Sequence, residues 1–262
     1  YHGFGTKVMQ DGVPINYADG MFDMQTLDPN ASRYVEVLRG PNAATYGAST
    51  LGGAINFVAP TGYTSPAGVA KAEVGSFGYR KAFGSTAAVS QADAAAGPVW
   101  DHYLAGSNTQ QDGFRQHAEM ENQKLLTNFG VKVDRNVESR FYVALVRSRT
   151  QLPGYLTKEQ LTSTPTQRNS GAAYVSDDNQ RRDVDAQRLA NKTTVRDGNQ
   201  VYEFAAYAMN YSLWHPIAYG VIQQRVDTQG GHFKVTNTMG AHQLTLAYLP
   251  SLGTTKGTSH AP

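Results

Sequence analysis

The sequence contains no cysteine, which excludes a disulfide framework, zinc–thiolate sites and thiol catalysis. Charge is scarce as well. Asp, Glu, Lys and Arg make up 17% of the residues, below the roughly 25% usual for soluble domains. The 23 bases nearly balance the 21 acids, so no nucleic acid or other polyanionic partner is implied. No apolar run approaches the roughly 18 residues of a transmembrane helix. The opening "YHGFGTKVMQDG" has neither an initiator Met nor the charged start, apolar core and cleavage site of a signal peptide. Tryptophan is rare at 2 residues, but tyrosine is abundant at 15. Tyrosine suits strands, binding surfaces and membrane interfaces, because its body is apolar and its tip is wet. The mean hydropathy of −0.45 resembles that of soluble chains. It leaves a transmembrane β-barrel open, since only alternate residues of such strands face lipid.

The chain has two organisations. Residues 1–62 read as short strands joined by glycine-rich turns: "KVMQDGVPI" with the hairpin signal Asp11-Gly12 inside it, then "RYVEVLRG", then "GAINFVA". The linker "PTGYTSPAG", 60–68, punctuates the chain with prolines and glycines. Residues 63–262 follow a longer period-2 pattern. In "KLLTNFGVKVD", Leu125, Thr127, Phe129, Val131 and Val133 share a face. Phe141, Val143 and Leu145 do so in the next segment, and Tyr207, Met209, Tyr211 and Leu213 oppose Ala206, Ala208, Asn210 and Ser212.

About nine such strands can be counted, near 68–77, 79–91, 99–110, 121–134, 138–150, 183–197, 200–213, 229–238 and 242–250. Tight turns at 135–138, 196–199 and 237–241 alternate with long connectors at 111–120, 151–182 and 214–228, as when the two ends of a barrel face different compartments. The short 76–79 connector breaks that alternation. A soluble sandwich is the competing fold, but its strands average about five or six residues.

Between two of the short strands stands "VEVLRGPNAATYGASTLGGAINFVAP", 35–60. Neither dinucleotide nor P-loop glycine spacing fits it, and the run after it is β-branched and aromatic rather than helical. Preceded by "QDGVPI", the stretch resembles the plug domain of TonB-dependent outer-membrane receptors. The matching residues are Glu36, Val37, Arg39, Gly40, Pro41, Tyr46, Gly47, Gly52, Gly53, Ile55 and Asn56. "NTQQDGFR", "LPGYLTKEQL" and "LWHPI" are similar, less specifically, to barrel segments of receptors of the ferric-citrate type. The resemblance implies an all-β fold: a transmembrane antiparallel barrel of 22 strands in the full protein, with a lumenal plug that is α+β in part. Residues 1–62 would form the C-terminal part of the plug and 63–262 the N-terminal part of the barrel. The chain's start, and its polar end "GTTKGTSHAP" in place of a closing strand, support the expectation that it belongs to a longer protein.

Physical chemistry gives the motif a reason. Gly40, Gly47, Gly52 and Gly53 permit positive φ and close approach to a wall, and Pro41 fixes φ after the strand. Glu36 and Arg39, three apart, point to opposite faces of a strand. They are either solvated charges or, as the resemblance implies, a plug–barrel latch in which Arg39 meets carboxylates of the barrel wall. The segment "INYADGMFDMQTLD", 15–28, by resemblance rises to the extracellular apex. Tyr17, Met21, Phe22 and Asp23 could there touch a ligand, although Met21 and Phe22 could equally serve the plug interior. Tyr46 could face either ligand or core. Lys158, Glu159, Arg168, Asp177, Asp178, Arg181 and Arg182 form a charged loop region suited to closing over a ligand or simply to solvent.

No nucleophile–base order, paired-carboxylate frame or metal spacing among the seven histidines stands out. No enzyme, metal site or cofactor is expected. The resemblance implies TonB-dependent uptake of a ferric chelate, siderophore or ferric citrate, across the outer membrane of a Gram-negative bacterium. TonB with ExbB and ExbD, and outer-membrane lipid, would be the partners. The alternatives are uptake of cobalamin, heme or an oligosaccharide, or a passive porin or structural barrel.

Overall fold

The computed structural model describes residues 5–40, 46–47, 50–90, 97–168, 180–217 and 220–260. Two sheets account for the described strands. The smaller holds β1 (Thr6–Gln10), β2 (Val13–Pro14), β3 (Tyr34–Leu38) and β4 (Gly53–Val58) in the order β2-β1-β4-β3. β1 and β4 are parallel, and the other pairs antiparallel. Asp11 and Gly12 join β1 to β2 with φ of 50° and 81°, the left-handed pair that a two-residue hairpin requires. Between β2 and β3 the chain makes two short 3-10 turns, Met24–Thr26 and Pro29–Ala31. Each is capped by an aspartate, Asp23 or Asp28, whose carboxylate accepts from a backbone N–H two residues on.

Gly53 is the motif glycine with the clearest need. Its φ is 119°, and a Cβ there would run into the Leu38 carbonyl. Gly40 and Gly47 also hold positive φ, 61° and 85°, whereas Gly52 does not. Pro41 lies outside the described residues.

The larger sheet is an antiparallel meander. It comprises β5 (Gly68–Val74), β6 (Arg80–Val89), β7 (Val99–Gln111), β8 (Met120–Lys132) and β9 (Val137–Gln151). There follow β10 (Arg181–Asp197), β11 (Gln200–Ile217), β12 (Gly220–Met239), β13 (His242–Tyr248) and β14 (Ser251–His260). β13 and β14 both pair with β12 and in one register, since Phe233 faces Tyr248 and Gly230 faces Ser251. Between them Gly231 N–H donates to the Pro250 carbonyl at 3.0 Å. They are one strand, interrupted where Pro250 has no N–H to give. The wall therefore crosses nine times, and the sheet is not closed among the described residues.

Two expectations are corrected here. The segment 214–228 is not a long connector: β11 runs to Ile217 and β12 begins at Gly220, so the hairpin continues through it. The polar end is a strand too, because threonines and a lysine pair with β12 as well as apolar residues do. The connector between β9 and β10 contains a helix, α1 (Lys158–Ser163), that strand periodicity could not announce. Its capping box joins Thr157 and Gln160.

Strands β6 to β12 each present one face outward and one, partly buried, toward the small sheet in the lumen, whereas β5 and β13–β14 at the open edges are exposed along most of their length. Leu125, Phe129, Phe141 and Leu145 are exposed on the outward face. The ring pairs Trp100–Phe129 and Phe204–Phe233, each with centroids 5.0 Å apart, form part of an aromatic belt toward the short-turn end. β11 reverses the pattern. Tyr207, Met209, Tyr211 and Leu213 are buried toward the lumen, so the small residues Ala206 and Ala208 face lipid. This is the architecture of a transmembrane barrel with a lumenal plug. Leu189→Arg, in the middle of the outward apolar band, is expected to cost about 2–4 kcal/mol, and Ser212→Arg, nearer the interface, about 0–1 kcal/mol. Equilibrium unfolding from lipid vesicles would measure both.

Candidate functional site

The plug segment 23–28 is where plug and wall chemistry converge. Six consecutive strands, β6 to β11, each send one polar side chain to it. From β6, Lys81 Nζ lies 3.5 Å from Asp28 Oδ1. From β7, Ser107 Oγ donates to Asp28 Oδ2 at 2.6 Å. Lys124 of β8 donates to the Leu27 carbonyl, and Ser148 of β9 to Gln25 Oε1 at 3.5 Å. From β10, Arg182 Nη2 reaches Asp23 Oδ2 at 2.6 Å, while Nη1 donates to Gln25. Tyr211 of β11 donates to the same Asp23 oxygen at 3.2 Å and accepts from Arg182 at 2.9 Å. The Tyr17 ring lies against Tyr211 with centroids 5.0 Å apart.

The sequence dictates this convergence in two ways. The aspartate-capped 3-10 turns point their carboxylates at the wall: Asp23 keeps Oδ1 for the backbone and Oδ2 for Arg182 and Tyr211, while Asp28 shares Oδ1 between the Asn30 N–H and Lys81 and gives Oδ2 to Ser107. Inward parity places Lys81, Ser107, Lys124, Ser148, Arg182 and Tyr211 on the lumenal face.

A second tier lies toward the short-turn end. Arg188 is buried and donates to Gln10 Oε1 at 2.8 Å, and Lys192 donates to the Asp11 carbonyl at 3.0 Å. Val13 and Ala59 of the plug pack against Tyr142, Ala190, Tyr207 and Met209. The linker after β4 is fixed by Asn128, which donates to the Pro60 carbonyl at 2.8 Å, and by Gly62 N–H, which donates to Asp101 at 3.0 Å. Asp101 is itself held by a bidentate Arg140 at 2.9 and 2.7 Å. The Lys132 ammonium lies 3.8 Å from the Tyr63 ring centroid.

Two plug acids are tuned in opposite directions. Burial alone would raise the Asp28 pKa. The Ser107 hydroxyl, the Asn30 N–H and the ammonium groups of Lys81 and Lys124 more than offset it, and the carboxyl is held below its ordinary range. Asp11 is raised by burial, which its bonds from Ala59 N–H and the Tyr142 hydroxyl and the charges of Lys192 and Arg140 offset only in part. Asp28 therefore contributes stability that is present above the ordinary carboxylate pKa and is lost as pH falls through its lowered value. Asp11 contributes stability that is complete below the ordinary value and is lost as pH rises through its raised one.

The sequence-derived candidates fall in different settings. Tyr17 and Asp23 are joined, but to the wall. Phe22 is 9% exposed and packs with Val8 and Phe57, the plug-interior setting that was one of its two expected places. Tyr46 packs on Met9 and Ala54. Met21 is half-buried beside the exposed Ala18 and Asp19. Glu36 accepts from Asn56 Nδ2 at 2.7 Å. Arg39 is exposed at the end of β3, with no ion pair among the described residues. Asp177 and Asp178 lie outside the described residues, and Arg182, read as a loop charge, belongs to β10. Asp28, Lys81, Lys124 and Arg188 were missed. For the three wall residues the signal was parity, because each is a polar residue on the face opposite the lipid-facing one; for Asp28 it was the Asp-Pro pair that opens a 3-10 turn.

A plug sheet bound inside an antiparallel wall by such a ring of contacts defines a plugged outer-membrane receptor fold. Residues 1–54 match the TonB-dependent Receptor Plug Domain family. The whole fold is similar to the ferric citrate transporter FecA in its unliganded form, with a TM-score of 0.75 and 15% identity over 99% of this chain and 40% of that one. It is similar also to the ferric yersiniabactin uptake receptor FyuA from Yersinia pestis, with a TM-score of 0.70 and 14% identity over 98% and 41%. The alcaligin outer-membrane receptor FauA from Bordetella pertussis gives 0.63 and 16% over 97% and 39%. The chain carries the plug and barrel-wall fold of TonB-dependent receptors, and spans about two fifths of the length of these solved structures.

Arg182→Ala would leave the Asp23 carboxylate without its cation in a largely buried setting. The expected loss is about 3 kcal/mol, read as faster hydrogen exchange over residues 23–27. Asp28→Asn should loosen the same segment near neutral pH, with the difference from wild type shrinking below about pH 4, where carboxylates gain their protons. A pH series of exchange rates checks the sign.

Proposed function

We propose that the protein containing this chain is a TonB-dependent transporter that takes up a ferric chelate, a siderophore or ferric citrate, across the outer membrane of a Gram-negative bacterium. TonB with ExbB and ExbD would supply the energy. The observation that carries the reading is the ring of six strands converging on residues 23–28. A ligand arriving beside Tyr17 and Met21 lies next to Asp23. A shift of that carboxylate away from Arg182 breaks the segment's contact with β11 and leaves Gln25 as its only hold on β10, so binding outside is coupled to the plug's hold on the wall. A passive porin has no use for such an arrangement, since its lumen is already open. The chelate class is supported by the solved receptors named above, whose cargoes are ferric citrate, ferric yersiniabactin and alcaligin.

In the same reading Glu36 and Arg39 form the end of β3 that latches the plug to the wall. Glu36 is steadied by Asn56, and the exposed guanidinium of Arg39 takes wall carboxylates.

The test is growth on single scarce iron sources, with cobalamin, heme and an oligosaccharide as parallel arms. Uptake of one ferric chelate is expected to need both TonB and a proton gradient. Equal uptake in a strain lacking TonB would overturn energised transport, and dependence on another arm alone would overturn the chelate.

A further inference from the structure

The lumenal face of β10 places a guanidinium among small and apolar side chains. Along the strand, Arg188 stands between Ala186 and Ala190, both buried. Directly across the ladder its neighbours are Ala144 of β9 and Met209 of β11. The wall thus gives Arg188 no acceptor beside it, although it is only 8% exposed.

The plug offers two acceptors, and both are neutral. Nη1 donates to Gln10 Oε1 at 2.8 Å, and Nη2 to the Val13 carbonyl at a long 3.5 Å. Nε is buried without a hydrogen-bond partner, and Arg188 makes no ion pair among the described residues. Asp11 acts on it from a distance, but that carboxylate is already held by the Ala59 N–H at 3.1 Å and by the Tyr142 hydroxyl. A guanidinium cannot shed its proton to escape burial. A buried charge of this kind is ordinarily paired, because desolvation without a counter-charge is costly.

Beside Arg188, between plug and wall, lies a cavity of about 50 Å³ whose lining includes Gln10, Ile15, Leu27, Asp28 and Phe57. That is room for more than one water. Asp28 is the one acid on this lining, and its two oxygens are engaged by Lys81 and Ser107, with the Lys124 ammonium also acting on it. Arg188, Lys81 and Lys124 therefore stand against a single carboxylate around the cavity.

We propose that the cavity holds one small monovalent inorganic anion, chloride in the cell, which fastens plug to wall. The anion accepts from Arg188 Nε and from the amide NH2 of Gln10, whose oxygen is taken by Nη1. A water is the poorer occupant, since it would satisfy Nε and leave the charge uncompensated. The cavity is too small for a chelate, and the proposal concerns the seating of the plug, independent of the cargo.

Crystals of the full-length protein soaked in bromide should show an anomalous peak within hydrogen-bond reach of Arg188 Nε. A second arm follows hydrogen exchange over residues 6–14 in detergent, in chloride and in gluconate at equal ionic strength. With chloride at about ten times its dissociation constant, exchange through plug opening should be about ten-fold slower than in gluconate. Gln10→Glu sets a carboxylate on the guanidinium, and its exchange should be slow in both salts. Arg188→Gln should lose the bromide peak and the salt difference together. Heat-sensitive migration on a gel establishes that each variant is a folded barrel, and Gln10→Glu carries the test alone where Arg188→Gln fails to insert. A cavity holding water and no bromide, equal exchange of the wild type in the two salts, or a salt difference that survives Gln10→Glu would overturn the proposal.

Discussion

Inside hydrocarbon no backbone N–H or C=O can turn to water, and each one left unpaired costs several kcal/mol. That constraint organises the rest of the molecule. It accounts for pairing that runs without a slip from β5 to the last strand, and for two-residue turns where the chain reverses at Gly198 and Gly240. It also explains the treatment of Pro250. The missing donor interrupts the ladder for two residues, yet the Pro250 carbonyl still accepts from Gly231, so the register passes through intact. With the backbone committed to the wall, side chains alone remain to hold the lumenal sheet.

Those side chains divide the lumen into two tiers of different character. Toward the long loops the contacts are carboxylates and cations at the rim of capped turns. Toward the short turns they are a buried apolar patch around Val13 and a deeply held Arg140–Asp101 pair at the linker. The linker end is thus the firmer of the two, because breaking a bidentate buried pair strands a charge. The ring at 23–28 lies nearer to water, and its partners can be re-solvated one at a time. Asp11 and Asp28 respond to pH in opposite senses, which leaves the plug's hold with partly cancelling acid terms.

Much of this was legible in the residues. The Asp11-Gly12 hairpin, the strands at 34–38 and 53–58 and the period-2 wall all follow from local rules that burial did not overturn. The last strand did not follow from them. "SLGTTKGTSH" has no apolar alternation, and it is a strand because β12 offers it a complete ladder. Nor did the direction of the apolar stripe on β11 follow, since period 2 separates two faces without saying which meets lipid. Tyr207 and Met209 face inward because the plug gives them an apolar partner. The wall partners of the candidate residues were not legible. Asp23 accepts from Arg182 of β10, and residue-by-residue reading cannot see a partner 159 positions away.

The ring around residues 23–28 also has a thermal consequence. Exposing apolar surface raises heat capacity, and exposing polar surface lowers it. When this segment leaves the wall, most of the groups that meet water are polar, namely carboxylates, the Gln25 amide, ammonium and guanidinium ions, hydroxyls and one carbonyl, while Phe22 stays within the plug. Release of the segment is therefore a step of small heat-capacity change, set beside a barrel whose unfolding has a large one. The hold on the plug would change little with temperature over a range in which the stability of the wall curves strongly, so the fastening keeps nearly the same strength in the cold as in the warm.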